Sequence, residues 1–316
     1  MKMICTLKKV ANYFVLTPLL IFKGKILCKE LFPQKSKDFL YVLPFQGIGD
    51  SMITLGFLKE FMLKNDFLET TIFHLESYSE LYSFYDFDFA SKRLLSKKDY
   101  STLRRFFNTK QGLSYLLSRK DILYTDTVTF LSQGWKTTFS IPNLSVFEYI
   151  RSGIMALHEE TKILLPGVPQ RELQLPDKSH GKKIAVLNPY SKTILISAWK
   201  EAYEKIARLL LDLNYFVFTD CGGDNTQKAI IGTTAFYGTL AESFALCKKA
   251  ELVIATRSGW VDLMMLSGTK VVALYGDNDE IAMNAFDVKA TVKMLGQNTD
   301  NCVQMEISEI QRTIKL

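Results

Sequence analysis

The sequence predicts an α/β protein of two domains with parallel sheets, and three observations carry that prediction. Short β-branched or apolar runs alternate with helix-spaced apolar residues from Phe39 to Tyr275. A glycine-containing loop follows a strand at three places: Gln46-Gly47-Ile48-Gly49-Asp50-Ser51, Asp220-Cys221-Gly222-Gly223-Asp224 and Thr256-Arg257-Ser258-Gly259. Between Pro166 and His180 the composition turns polar and proline-rich, as in a link between domains. With 316 residues, 47% of them hydrophobic and 23% charged, the chain is long enough for two cores and too apolar for disorder.

Taken in order, residues 1–38 form a basic N-terminal segment. They hold Lys2, Lys8, Lys9, Lys23, Lys25, Lys29, Lys35 and Lys37 against Glu30 and Asp38, which accounts for the whole net charge of +6. A nucleic-acid binder spreads its cations over a folded face, so this confinement to one terminus argues against that partner. Lysines flank the apolar run Val10 to Phe22, which is shorter than the roughly 20 residues of a straight membrane span. Three readings stand: a surface-lying anchor on anionic lipid, a helix packed on the protein's own core, or an export signal, for which Phe22-Lys23-Gly24-Lys25 is a poor cleavage site. The five cysteines show no CxxC pair and there are only three histidines, so neither a disulfide framework nor a zinc site is expected.

The first domain is expected over 39–168. Phe39 to Phe45 reads as a buried strand, and Met52 to Lys64 as a helix with Ile53, Phe57, Leu58, Phe61 and Met62 on its apolar side. Gly47 and Gly49 let the backbone turn and approach a ligand, and Asp50 lands at the helix mouth, either as an N-cap or as a general base. Strands follow at Thr70 to Leu75 and Ile122 to Tyr124. The aromatic and basic residues between them read either as an acceptor surface or as a helix pair with an aromatic core and a solvated face. Val146 to Leu157 is a helix candidate.

The second domain is expected over 181–300, followed by a helix or tail at 301–316. Lys183 to Leu187 and Tyr215 to Thr219 are strands around a helix marked by Trp199, Ala202, Tyr203, Ile206, Leu209, Leu210 and Leu213. Thr239 and Glu242 have capping-box spacing ahead of the helix Leu240 to Lys248. Leu252 to Ala255 and Lys270 to Tyr275 then flank Val261, Leu263, Met264 and Leu266, a strand-turn-helix-strand unit. Its turn combines Arg257, Ser258 and Gly259, residues suited to a phosphate or diphosphate; Ser258 is equally suited to cap the helix.

Three blocks together, GIGDSMITLGFLKEF, NPYSK with the later AWKEAYEKIARLLLDLNYFVFTDCGG, and YGTLAESFALCKKAELVIATRSGWVDLMMLSGTKVVALYGD, resemble the glycosyltransferase family 9 heptosyltransferases over about residues 39–277. The resemblance implies a GT-B fold, two facing Rossmann-like domains with parallel sheets, with a nucleotide-sugar donor on the second and the acceptor against the first. It implies that Asp50, from the family's G-[IL]-GD motif, deprotonates the acceptor, with Gly47, Gly49 and Ser51 beside it. Donor binding falls to Lys192, Gly222, Gly223, Arg257, Ser258, Gly259 and Asp262. Two departures bear on this. The family's D-S-G-x-x-H reads Arg257-Ser258-Gly259-Trp260-Val261-Asp262 here, and Ser197-Ala198 precedes Trp199 where the family has a lysine, for which Lys192 or Lys200 stands in. Arg257 is then a bidentate partner for a diphosphate and Asp262 for a ribose or sugar hydroxyl.

The expectation is an inverting, metal-independent transfer of a sugar from a nucleotide-sugar donor to a lipid-linked or surface-polysaccharide acceptor, with no cofactor. Residues 1–30 would hold the enzyme on an anionic membrane, peripherally at the inner face of the cell membrane in the cytoplasm. The other readings are a nucleotide-sugar epimerase, for which the basic N-terminus has no purpose, and a non-catalytic relative serving as an assembly partner.

Overall fold

The computed structural model of the chain describes residues 17–33, 37–44, 46–125, 145–191, 199–223 and 227–313. Lys192, Asp224 and the stretch up to Leu16 lie outside the described residues, and with them the expectations placed there. The chain divides into two units, one drawn from 1–46, 58–79 and 87–138, the other from 47–57, 80–86 and 139–316.

The smaller unit is built on a parallel sheet in the order β3-β2-β1-β4, with β1 at Phe39–Leu43, β2 at Glu69–His74, β3 at Ala90–Leu94 and β4 at Ile122–Tyr124. β1 is buried on both faces, as a central parallel strand must be, and its apolar sequence FLYVL follows from that. Phe39 pairs with Glu69 and Tyr41 with Ile122. β3 was not visible in the sequence because ASKRL is an exposed edge, where charged side chains discourage pairing with another sheet. Helix α1 (Thr17–Leu31) buries Gly24, Cys28 and Leu31. They join a core with Phe32, Tyr41, Phe73, Tyr100, Leu103 and Phe106. Phe32 meets Tyr41 and Phe73 edge-on at 5.5 and 5.4 Å, a favoured aromatic geometry.

The aromatic and basic stretch of this unit is a helix pair, α4 (Lys97–Phe107) and α5 (Lys110–Ser118), numbered after α2 (Ile48–Lys64) and the short α3 (Ser79–Ser83). Ser96 and Thr109 cap α4 and α5 by accepting from the Asp99 and Gly112 N–H groups. Tyr100, Leu103, Phe106 and Phe107 point inward while the cations face out, so this is the aromatic-cored pair.

Beyond the first turns of α2 and most of α3, the larger unit includes α6 (Val146–Glu148), which continues as a π-helical turn over Tyr149–Ile154. Its sheet runs β10-β9-β8-β5-β6-β7, all parallel. The strands are β5 (Lys183–Asn188), β6 (Tyr215–Asp220), β7 (Thr234–Phe236), β8 (Leu252–Thr256), β9 (Lys270–Tyr275) and β10 (Cys302–Glu306). Between and after them lie α7 (Trp199–Asp212), α8 (Leu240–Lys249), α9 (Gly259–Met264), α10 (Glu280–Ala285), α11 (Val288–Met294) and α12 (Ile307–Thr313). Thr239 and Glu242 form the capping box that their spacing predicts. The segment expected as a helix or tail at 301–316 supplies the edge strand β10 before its helix, with Cys302 opposite Val271.

From β5 the chain winds one way through β6 and β7 and the other way through β8, β9 and β10. The reversal lies between β5 and β8, and open α/β sheets bind ligands outside the carboxyl ends of the strands at such a point. Here those ends are Asn188 to Ser191 and Thr256 to Ser258. The smaller sheet has the same winding, with its reversal between β1 and β4.

Candidate functional site

Helix α2 begins at Ile48, four residues before the start read from the sequence. The Ser51 N–H already donates to the Gly47 carbonyl at 3.0 Å, so the glycine motif is the first helical turn itself. Asp50 therefore stands inside that turn and is not its N-cap. Ser51, expected at the acceptor side, is fully buried with its Oγ 3.1 Å from the Tyr82 hydroxyl. It belongs to the interior, because the helix rotates it about 100° away from Asp50.

The other half of the site starts where β8 ends. The Thr256 hydroxyl donates to the Pro189 carbonyl at 3.0 Å and the Ser191 hydroxyl to the Arg257 carbonyl at 3.2 Å, tying the β5 and β8 ends together at the winding reversal. Ser258 occupies the cap position of α9 in extended backbone, yet its hydroxyl caps nothing; Oγ is buried and has no hydrogen-bond partner among the described residues. Gly259 then meets Gly49 main chain to main chain. A Cβ on Gly259 would lie 2.2 Å from the Gly49 nitrogen, and one on Gly49 would lie 2.4 Å from Asp262 Oδ2 and 3.2 Å from the Gly259 Cα. Both positions need glycine because nothing larger than hydrogen fits between the two backbones.

Arg257 and Asp262 pair with each other. Arg257 Nη2 lies 2.7 Å from Asp262 Oδ1, with side chains 3% and 5% exposed. Nε donates to the Phe286 carbonyl at 2.9 Å and Nη1 to the Ser258 carbonyl at 2.6 Å. Tyr275 also donates to the Phe286 carbonyl, at 2.6 Å, and the guanidinium lies over the Phe286 ring. Burial works to lower the Arg257 pKa, but the Asp262 carboxylate and Tyr275 outweigh it and the net direction is upward. Arg257 and Asp262, expected to grip a diphosphate and a sugar hydroxyl, both line a cavity, and each buried charge takes the other as its neutralising partner.

This cavity of about 50 Å³ is lined by Gly49, Asp50, Ile53, Val146, Phe147, Arg257, Ser258, Gly259, Asp262, Ala285, Phe286 and Thr291, all within the larger unit. Pockets that enclose a whole ligand run to roughly 300–1,000 Å³, so this space suits one part of a larger molecule. Six residues singled out in the sequence thus meet: Gly49, Asp50, Arg257, Ser258, Gly259 and Asp262. Gly47, Gly222 and Gly223 are not among the lining residues. Gly222 instead makes a turn at φ +63° whose N–H donates to Asp220 Oδ1 at 2.8 Å. Burial pushes the Asp220 carboxyl up to about 6, against the Gly222 N–H, Ser243 and Trp260. Lys200, the alternative to Lys192, is exposed on α7. Val146, Phe147, Ala285, Phe286 and Thr291 were missed, since an apolar residue lining a cavity reads as core in a sequence.

No family model matches the sequence, and no curated protein matches it. Solved structures do. The E. coli ADP-heptose LPS heptosyltransferase II aligns with 87% of this chain and 96% of its own at a TM-score of 0.52 and 13% identity. A glycosyltransferase family 9 structure from Veillonella parvula aligns with 88% of this chain and 89% of its own at a TM-score of 0.51 and 13% identity. The chain therefore has the fold of these glycosyltransferases, two α/β units with parallel sheets, as the motif resemblance implied.

Proposed function

We propose that the chain is an inverting glycosyltransferase that moves a sugar from a nucleotide-sugar donor to the hydroxyl of a lipid-linked or surface saccharide at the cytoplasmic side of a membrane. The observation that carries this reading is that Asp50 and the Ser258-Gly259 turn line one cavity at a winding reversal of a parallel sheet. Asp50 takes the acceptor proton as the acceptor oxygen bonds to the anomeric carbon. The bond from that carbon to the diphosphate breaks on the opposite face, and the nucleoside diphosphate leaves with the electron pair. Negative charge grows on the leaving oxygen, where the unpartnered Ser258 hydroxyl and the neighbouring N–H groups are donors. Arg257 acts from behind, holding Phe286 and the turn, with Lys192 the candidate for direct contact with the diphosphate. The likeness of fold to the E. coli ADP-heptose LPS heptosyltransferase II supports a nucleotide-sugar donor of the ADP-heptose class.

The test pairs binding with turnover. Nucleoside diphosphates and nucleotide sugars are screened for a rise in melting temperature, which a native-state ligand produces in proportion to its affinity. Asp50→Asn is expected to lower the transfer rate by about 10² to 10⁴ while leaving stability within about 0.5 kcal/mol. Full transfer by Asp50→Asn, or no thermal shift with any nucleotide, overturns the proposal.

A further inference from the structure

Helix α1 has a side that the smaller unit does not use. Gly24, Cys28 and Leu31 are buried against the α4 and α5 core, with Gly24 on the Phe106 ring. At about 100° per residue, Leu19, Phe22 and Ile26 fall on the opposite side as one stripe. They are 46%, 63% and 42% exposed. Exposed lysines border the stripe, Lys23 on one side and Lys25 and Lys29 on the other.

We infer that this face of α1 lies on an anionic lipid surface, with Leu19, Phe22 and Ile26 in the headgroup boundary and the lysines on lipid phosphates. Charge selects this occupant. Helix α1 carries Lys23, Lys25 and Lys29 against only Glu30. A second copy docked on the same face would bring like charges together. A nucleic acid would meet the cations but leave three large apolar side chains in water. A bilayer with anionic headgroups satisfies both chemistries at once. Among the described residues no helix is long and apolar enough to cross a membrane, so the helix lies in the plane of the surface.

The test is co-sedimentation of the full chain with phosphatidylcholine vesicles, with and without a phosphatidylglycerol fraction. Binding is expected only to the anionic vesicles, with release by salt. Lys23→Glu with Lys25→Glu is expected to lower partitioning about 30-fold or more, from roughly fivefold per lysine. Leu19→Ser with Phe22→Ser is expected to lower it at least about tenfold. These side chains are exposed, so an unchanged melting temperature accompanies both variants. The proposal is overturned if the wild type ignores anionic vesicles or if the serine variant binds them as well as wild type. It also fails if the wild type is a dimer in solution that the serine variant dissociates. None of these readouts depends on transfer activity, so the catalytic proposal stands or falls separately.

Discussion

Asp262→Asn isolates what the buried charge pair contributes. The substitution keeps the shape of the side chain and removes its charge, leaving the Arg257 guanidinium 3% exposed with no counter-charge at 2.7 Å. Removing one partner of a buried pair costs about 3–5 kcal/mol, because the remaining ion stays out of water. For a unit of this size about 1 kcal/mol moves the melting temperature by roughly 2–4 °C, so the variant should melt about 6–20 °C lower. Replacing both charges by apolar groups, Arg257→Met with Asp262→Leu, should recover most of that loss. A double-mutant cycle by urea unfolding, followed by far-ultraviolet circular dichroism, gives the coupling between them. High salt should change it little, since a dry pair is poorly screened. A loss below about 1 kcal/mol for Asp262→Asn would refute the reasoning, because that is the behaviour of a solvated surface pair.

Asp220 gives a pH-dependent expectation. Its folded pKa of about 6, raised from 3.8 by burial, means the folded chain keeps a proton that the unfolded chain has already released. The associated stability is present below about pH 4 and lost as pH rises through 6, about 3 kcal/mol in all. The difference between wild type and Asp220→Asn in urea midpoint should therefore change between pH 4 and 6, and a flat difference curve contradicts the assignment. Gly259→Ala must push two backbones apart, since its Cβ would sit 2.2 Å from the Gly49 nitrogen. The expected cost is about 1–3 kcal/mol together with loss of any nucleotide-induced thermal shift, and a variant that keeps both would show that the contact yields.

The elements written most clearly in the sequence were those that one interaction dominates. Lys270–Tyr275 emerged with the bounds read from its apolar run, because burial of a central strand leaves little choice of residue. Ala90–Leu94 and Cys302–Glu306 were hidden for the opposite reason: they are edge strands whose largely exposed or half-buried side chains include charged residues. The start of α2 was misplaced because glycine lowers helix propensity, whereas close approach to Gly259 demands it there. Asp50, Ser258 and Gly259 were legible as chemistry at strand ends. The partnership of Arg257 with Asp262 was not, although opposite charges, one just ahead of a short buried helix and one within it, are a usable signal: each is the nearest neutraliser of the other.

Part of the cavity lining is main chain, Gly49 against Gly259. Peptide backbone cannot be exchanged by mutation, so drift in the sequence leaves that surface as it is. New ligand preferences would have to arise among the side chains that line the rest of it, through Val146, Phe147, Phe286 and Thr291. Proteins sharing this architecture should consequently differ most where this chain looks most ordinary, and a library aimed at altered sugar choice belongs at those four positions.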